Sequence, residues 1–175
     1  RKLLCNSPTQ SNRISPTNSN DFEIVAGTLI IYRGNSRRVI IPEGVVEIAD
    51  AAFSNMTYLE SIQLPTTLLG SSAFSNCKSL QKIILPNSIT TLGSHVFHLC
   101  TNLKEITFSN NLKVIPMSAF ENCESLLNIS IPESVEIIEK DAFGSCKNLK
   151  EVYLPHAVEV STSDSPFSCC KQLKK

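Results

Sequence analysis

The chain has 175 residues, 42% of them apolar and 18% charged, which suits one folded domain with modest surface charge. Sixteen Lys and Arg balance sixteen Asp and Glu, so strong electrostatic attraction to nucleic acid or to an anionic membrane is excluded. No apolar run approaches the ~18 residues needed to cross a bilayer, and the seven cysteines include no C-x-x-C pair of the kind that holds zinc.

Residues 6–20 read NSPTQSNRISPTNSN. Such a stretch buries too little apolar surface to offset its ordering entropy, so residues 1–20 are expected to form a tail or linker. From Asp21 the pattern changes. Phe22, Ile24 and Val25 precede Gly27; then come Leu29 to Tyr32, a Gly34-Asn35 turn, and Val39 to Ile41. Short β-type runs parted by glycine turns predict strands and hairpins. Residues 21–41 are therefore expected to be an N-terminal β cap, covering the open end that a repeat array must protect.

Residues 42–175 repeat. Phe53, Phe74, Phe97, Phe120, Phe143 and Phe167 are spaced by 21, 23, 23, 23 and 24 residues. Six residues after each lies a leucine, from Leu59 to Leu173. Nine after lies Ile62, Ile83, Ile106, Ile129 or Val152; eleven after, Leu64, Leu85, Phe108, Ile131 or Leu154. A proline follows in each unit except one, where Ser109 stands. A fixed period of 20–30 residues means a solenoid. The L-x-x-I-x-I-P part alternates apolar and polar and predicts a short strand, ended by a proline that cannot donate to a ladder. The S-V-x-x-I segment (Ser134 to Ile138) predicts a second extended piece, and D-A-F-x-x-C (Asp141 to Cys146) a short helical turn. The fold class expected is α/β: a solenoid of 23-residue units whose first strands stack into a parallel sheet.

This pattern, fullest over residues 131–154, resembles the BspA-like (Treponema pallidum-type) class of leucine-rich repeats over residues 39–173. The resemblance implies a surface-exposed or secreted protein used in adhesion or in binding a host protein, with no enzyme activity. It departs from that pattern at Met56, in place of cysteine, at Ser109 and in a worn last unit.

Cys77, Cys100, Cys123, Cys146 and Cys170 each follow an anchor phenylalanine by three residues, where the first unit has Met56. Stacked positions lie ~4.8 Å apart, a spacing that also admits a disulfide. The methionine in the same column favours a small apolar group, so free buried thiols are expected. Cys169 is expected to point away from the core, and Cys5 lies in the tail. His95, His98 and His156 have no Ser, Cys or Asp partner at a recognisable spacing. No catalytic residue, metal site or cofactor is expected.

The informative positions lie between the buried ones. The column ten residues after each anchor holds Ile40, Gln63, Ile84, Thr107, Ser130 and Tyr153; beside it run Lys82, Glu105 and Glu151, with Leu127 in a third column. Ile40, Ile84, Leu127 and Tyr153 are expected to stand exposed on the concave sheet among Gln63, Lys82, Glu105, Thr107 and Glu151. Exposed apolar and aromatic groups on one face are what protein-binding surfaces use; the competing reading is scattered surface residues or ones packed by a loop. The partner expected is another protein, a host matrix or surface protein by the resemblance. The alternative is an intracellular scaffold, which places the chain in the cytoplasm rather than at the cell surface.

Overall fold

The computed structural model describes residues 18–65, 68–160 and 164–174; the expected tail of residues 1–17, with Cys5, lies outside them. In chain order the strands are β1 (Phe22–Val25), β2 (Thr28–Tyr32), β3 (Arg38–Ile40), β4 (Glu47–Ile48), β5 (Ser61–Gln63), β6 (Leu68–Leu69) and β7 (Lys82–Ile84). They continue with β8 (Thr91–Leu92), β9 (Glu105–Thr107), β10 (Val114–Ile115), β11 (Asn128–Ser130), β12 (Ile137–Ile138), β13 (Glu151–Tyr153) and β14 (Glu159–Val160). β1 and β2 form an antiparallel hairpin. Every later pairing is parallel, each strand with its counterpart one turn on.

Each turn of this solenoid contributes a three-residue strand to one face and a two-residue strand to the other. The three-residue strands turn their middle residue inward, buried in β3, β7 and β11 and half-buried in β5, β9 and β13, and expose both neighbours, as period-2 alternation requires. Val39, Ile83 and Ile129 thus point inward, with Ile41, Leu64, Leu85, Phe108 and Ile131 closing the core behind them. Leu154 holds the same column position yet is 44% exposed, because no further described turn covers it.

Between the two strands of each turn the sequence alone suggests a helical turn. Among the described residues the only helix is the 3-10 turn Ser19–Asp21. The reason lies in the backbone. Two residues in each of five turns take left-handed φ, and one in the last: Ala51, Ser72, His95, Ser118 and Asp141 before the anchor, Asn55, Asn76, Leu99, Asn122, Ser145 and Cys169 after it. No α-helix passes through such residues. The anchor amides donate forward to the next turn instead, as Phe97 N to Ala119 O at 2.8 Å and Phe120 N to Ala142 O at 2.7 Å. The apolar spacing that mimics a helix is produced here by stacked β-turns.

The anchors form one continuous stack. Rings of Phe53, Phe74, Phe97, Phe120, Phe143 and Phe167 lie parallel with centroids 5.1–5.6 Å apart. Tyr32 of β2 extends it by one ring, 5.2 Å from Phe53, and Phe22 closes it at 4.9 Å. Beside the rings runs the thiol column. Cys77, Cys100, Cys123 and Cys146 are free and fully buried. Each donates its S–H to the carbonyl of the anchor one turn back: Phe53, Phe74, Phe97 and Phe120, at 3.2–3.3 Å. The expectation of free thiols is met by these four. Cys169 is exposed, as expected, and Cys170 is half-buried.

Candidate functional site

The site is the face built by β3, β5, β7, β9, β11 and β13. Register fixes which side chains meet: Ile40 lies beside Gln63, Lys82 beside Glu105 and Ile84 beside Thr107, Asn128 beside Glu151 and Ser130 beside Tyr153. Ile40 is 60% exposed, Ile84 54%, Tyr153 61% and Leu127 49%. Gln63, Lys82, Glu105, Thr107 and Glu151 are exposed as well. The structure therefore brings all nine sequence-predicted residues to one face.

The face is not one uninterrupted sheet. β3 pairs β5, β7 pairs β9 and β11 pairs β13, but β5 and β7 are not ladder partners, nor are β9 and β11. The first seam follows the unit that is two residues short. The second lies beside Phe108, whose ring stands edge-on to Phe120 at 5.6 Å and to Phe143 at 6.5 Å. Each seam holds a groove. That between β5 and β7 has a volume of about 440 Å³ and is walled by Ile62, Leu64, Ile84 and Pro86, with Ser61, Gln63 and Lys82 at its rim. That between β9 and β11 is about 570 Å³ and more polar, with Lys104, Glu105, Leu127 and Asn128 among its lining.

Two charged residues of the face pair with each other, and a third is bound by a hydroxyl. Lys82 Nζ meets Glu105 Oε2 at 2.7 Å, and the hydrogen bond from Lys82, with its charge, holds the Glu105 carboxyl below its ordinary value. Tyr153 donates its hydroxyl to Glu151 Oε2 at 3.1 Å, which raises the phenol above its ordinary value, the neighbouring charge adding to the effect. Both pairs sit in solvent, so they orient side chains more than they stabilise. The apolar groups that the face offers a partner are Ile40, Ile84 and Tyr153 in one column, flanked by polar and charged groups.

Sequence reasoning did not single out Arg38 and Pro86. Arg38 is exposed in register with Ser61; aligning the first strand with the later ones by column would have found it. Pro86 read only as a strand terminator, and its place on a groove wall depends on the seam, which has no sequence signature. Among the described residues no cluster of three or more His, Cys, Asp or Glu is poised to hold a metal.

Parallel turns of this length, with one stacked anchor and one inward leucine each, define a leucine-rich repeat solenoid. The BspA-type leucine-rich repeat region matches in six copies, over residues 31–150 and 67–175, and the chain belongs to that family. It is similar to the crystal structure of the leucine-rich repeat protein of T. pallidum, at 31% identity and a TM-score of 0.83, over 90% of this chain and 79% of that one. It is also similar to a leucine-rich repeat protein of Eubacterium ventriosum (28%, TM-score 0.73) over 86% of this chain and 41% of that one. A leucine-rich cell surface protein of Faecalibacterium prausnitzii matches at 29% and 0.61, over 84% of this chain and 34% of that one. The chain thus spans less than half the length of the latter two. No curated protein sequence matches it.

Proposed function

We propose that this chain is a non-enzymatic binding module of a surface-exposed or secreted protein, and that it docks a partner protein on the face of β3, β5, β7, β9, β11 and β13. One observation carries the reading: Ile40, Ile84 and Tyr153 stand more than half exposed in a single column of the face, where burial by a partner is worth ~25 cal/mol per Å² of apolar area. The apolar groove beside Ile84 gives a partner side chain a pocket, and hot spots form where an apolar anchor fills one. The family supports the coarse reading of a protein-interaction module. The cell-surface description of the F. prausnitzii protein supports the location; adhesion to a host matrix or surface protein is the finer part of the proposal, taken from the resemblance to BspA-like repeats. Among the described residues no helix is long and apolar enough to cross a membrane.

The test is binding of the purified chain to extracellular-matrix proteins, compared with the double variant Ile84→Ser, Tyr153→Ser. Loss of two large anchors is expected to weaken binding at least ~30-fold. Equal affinity of the two proteins would sink the proposal.

One observation favours a second reading. All six described cysteines are free, as in a reducing compartment, which suits an intracellular scaffold. Labelling of intact cells with an impermeant reagent decides between them: labelled chain supports the surface, label only after lysis supports the scaffold.

A further inference from the structure

The docking face is the basic side of an acidic molecule. With the residue before each strand counted in, the face carries Arg37, Arg38, Lys82, Lys104 and Lys150 against Glu60, Glu105 and Glu151. The other described residues hold seven Lys and Arg against thirteen Asp and Glu. The three carboxylates of the face are already engaged. Glu60 is held by Arg37 at 2.9 Å, Glu105 by Lys82 at 2.7 Å and Glu151 by the Tyr153 hydroxyl at 3.1 Å. Lys104 and Lys150 are exposed and have no ion-pair partner among the described residues. Between them, one turn from each, stands Leu127, 49% exposed. Lys104 and Leu127 both line the groove of about 570 Å³ between β9 and β11.

We infer that this groove takes an acidic segment of the partner protein, one in which two carboxylates flank an apolar side chain. This preference rests on the docking face proposed above. The apolar side chain packs on Leu127, and the carboxylates accept hydrogen bonds from the ammonium groups of Lys104 and Lys150. Successive turns lie ~4.8 Å apart, so the two lysines stand about 10 Å apart at Cα. An extended segment rises ~3.3 Å per residue and alternates its faces. Glu-x-Leu-x-Glu therefore presents all three groups on one side, with the carboxylates ~13 Å apart, and the flexible lysine stems span the difference. Exposed ion pairs add little affinity each. Their larger effect is on approach: a basic face on an acidic body turns an acidic partner toward the groove and repels a basic one. Leu127 between the lysines favours a peptide over a sulfated polysaccharide, which offers no comparable apolar side chain.

The experiment titrates the ¹⁵N-labelled chain with the capped peptide Glu-Ser-Leu-Ser-Glu and with its Gln and Lys counterparts, following amide shifts by NMR. The Glu peptide is expected to move the signals of Lys104, Leu127 and Lys150 and to bind about 10-fold more tightly than the Gln peptide at low salt, with the difference shrinking at high salt. The Lys peptide is expected to leave them in place. K104Q/K150Q should erase the difference between the Glu and Gln peptides, and L127S should weaken both; circular dichroism confirms that each variant is folded. No shift at the groove, equal binding of the Glu and Gln peptides, or a preference that survives K104Q/K150Q overturns the inference. So does a heparin fragment that moves these signals where the Glu peptide does not, which assigns the lysines to a sulfated polysaccharide. Matrix-protein binding that falls in the Ile84→Ser, Tyr153→Ser chain but not in K104Q/K150Q leaves the docking face standing and overturns the acidic segment alone.

Discussion

The thiol of Cys123 donates to the main-chain carbonyl of Phe97, one turn back, at 3.3 Å. The cysteine column is thus a set of hydrogen-bonded struts as well as a packing element. It ties stability to alkaline pH. Burial pushes the Cys77 thiol up to about 12 and raises Cys100 and Cys123 too. A thiol raised in the folded chain ionises first in the unfolded one, so its contribution is complete below pH ~8.5 and declines above it, by about 1.4 kcal/mol per pH unit for each thiol. Urea midpoints of wild type are therefore expected to drop between about pH 7.5 and about pH 10. In C123S the hydroxyl keeps the donation and does not titrate, so the drop should be smaller. Equal drops in both proteins would show that the column does not govern the alkaline limb.

The aromatic stack predicts how damage scales with position. Phe97 is fully buried between Phe74 and Phe120, each 5.3 Å away. Phe167 is half-buried, and among the described residues its ring stacks on one other, that of Phe143, at 5.6 Å. In a nearest-neighbour array an interior anchor supports two interfaces and an end anchor one. Phe97→Ala is expected to cost about 3–5 kcal/mol, a large share of the total stability of a small domain. Phe167→Ala should cost less than half of that. Urea unfolding of both variants checks the ratio, and equal losses would count against nearest-neighbour energetics.

Much of this was legible in the sequence for a physical reason. A solenoid uses one unit many times, so a column of Phe or Leu is read five or six times over and chance patterns average out. The outward positions of Ile40, Ile84 and Tyr153 follow from period-2 alternation once Val39, Ile83 and Val152 are known to face in. Tyr32 was missed as a ring of the stack because it is not a phenylalanine, though its spacing of 21 residues to Phe53 equals that from Phe53 to Phe74. The turn around Asp141 to Cys146 reads as helical because alanine and phenylalanine at that spacing fit a helix. What decides against it, left-handed φ at Asp141 and Ser145, is a backbone property that only the asparagines of the equivalent positions hint at. The seams are invisible altogether, since they depend on small shifts between turns.

On the acid side His98 is the group to watch. Burial lowers its pKa below the ordinary value, His95 adding to the effect and Glu121 opposing it; its Nε2 lies 3.9 Å from Glu121 Oε2. A histidine lowered in the folded chain takes up its proton first in the unfolded one. The stability it contributes is present above pH ~6.5 and is lost as pH falls through the folded-state value. Wild type is therefore expected to lose stability between about pH 7 and about pH 5 more steeply than His98→Gln. Thermal melts across that window provide the comparison, and parallel curves would remove His98 from the account.

Leu99 is the least suitable residue in its column. It sits at φ 61°, where the equivalent positions hold Asn55 (65°), Asn76 (61°) and Asn122 (60°). It cannot relax out of that region, because its amide is bonded to the Glu121 carbonyl of the next turn at 2.9 Å. A β-carbon in left-handed conformation costs roughly 1–2 kcal/mol, and asparagine tolerates the region through its short polar side chain. Asparagine also gains a partner here: Asn76 Nδ2 already donates to Asn55 Oδ1 at 2.7 Å, and an amide at position 99 would stand between Asn76 and Asn122 in the same ladder. The apolar area lost is small, since Leu99 is only half-buried. Leu99→Asn is therefore expected to stabilise the fold by about 1 kcal/mol, and the reverse change Asn122→Leu to destabilise it by a similar amount. Chemical denaturation of the two variants tests this in both directions. A Leu99→Asn protein no more stable than wild type would mean that the leucine's remaining burial outweighs its backbone strain.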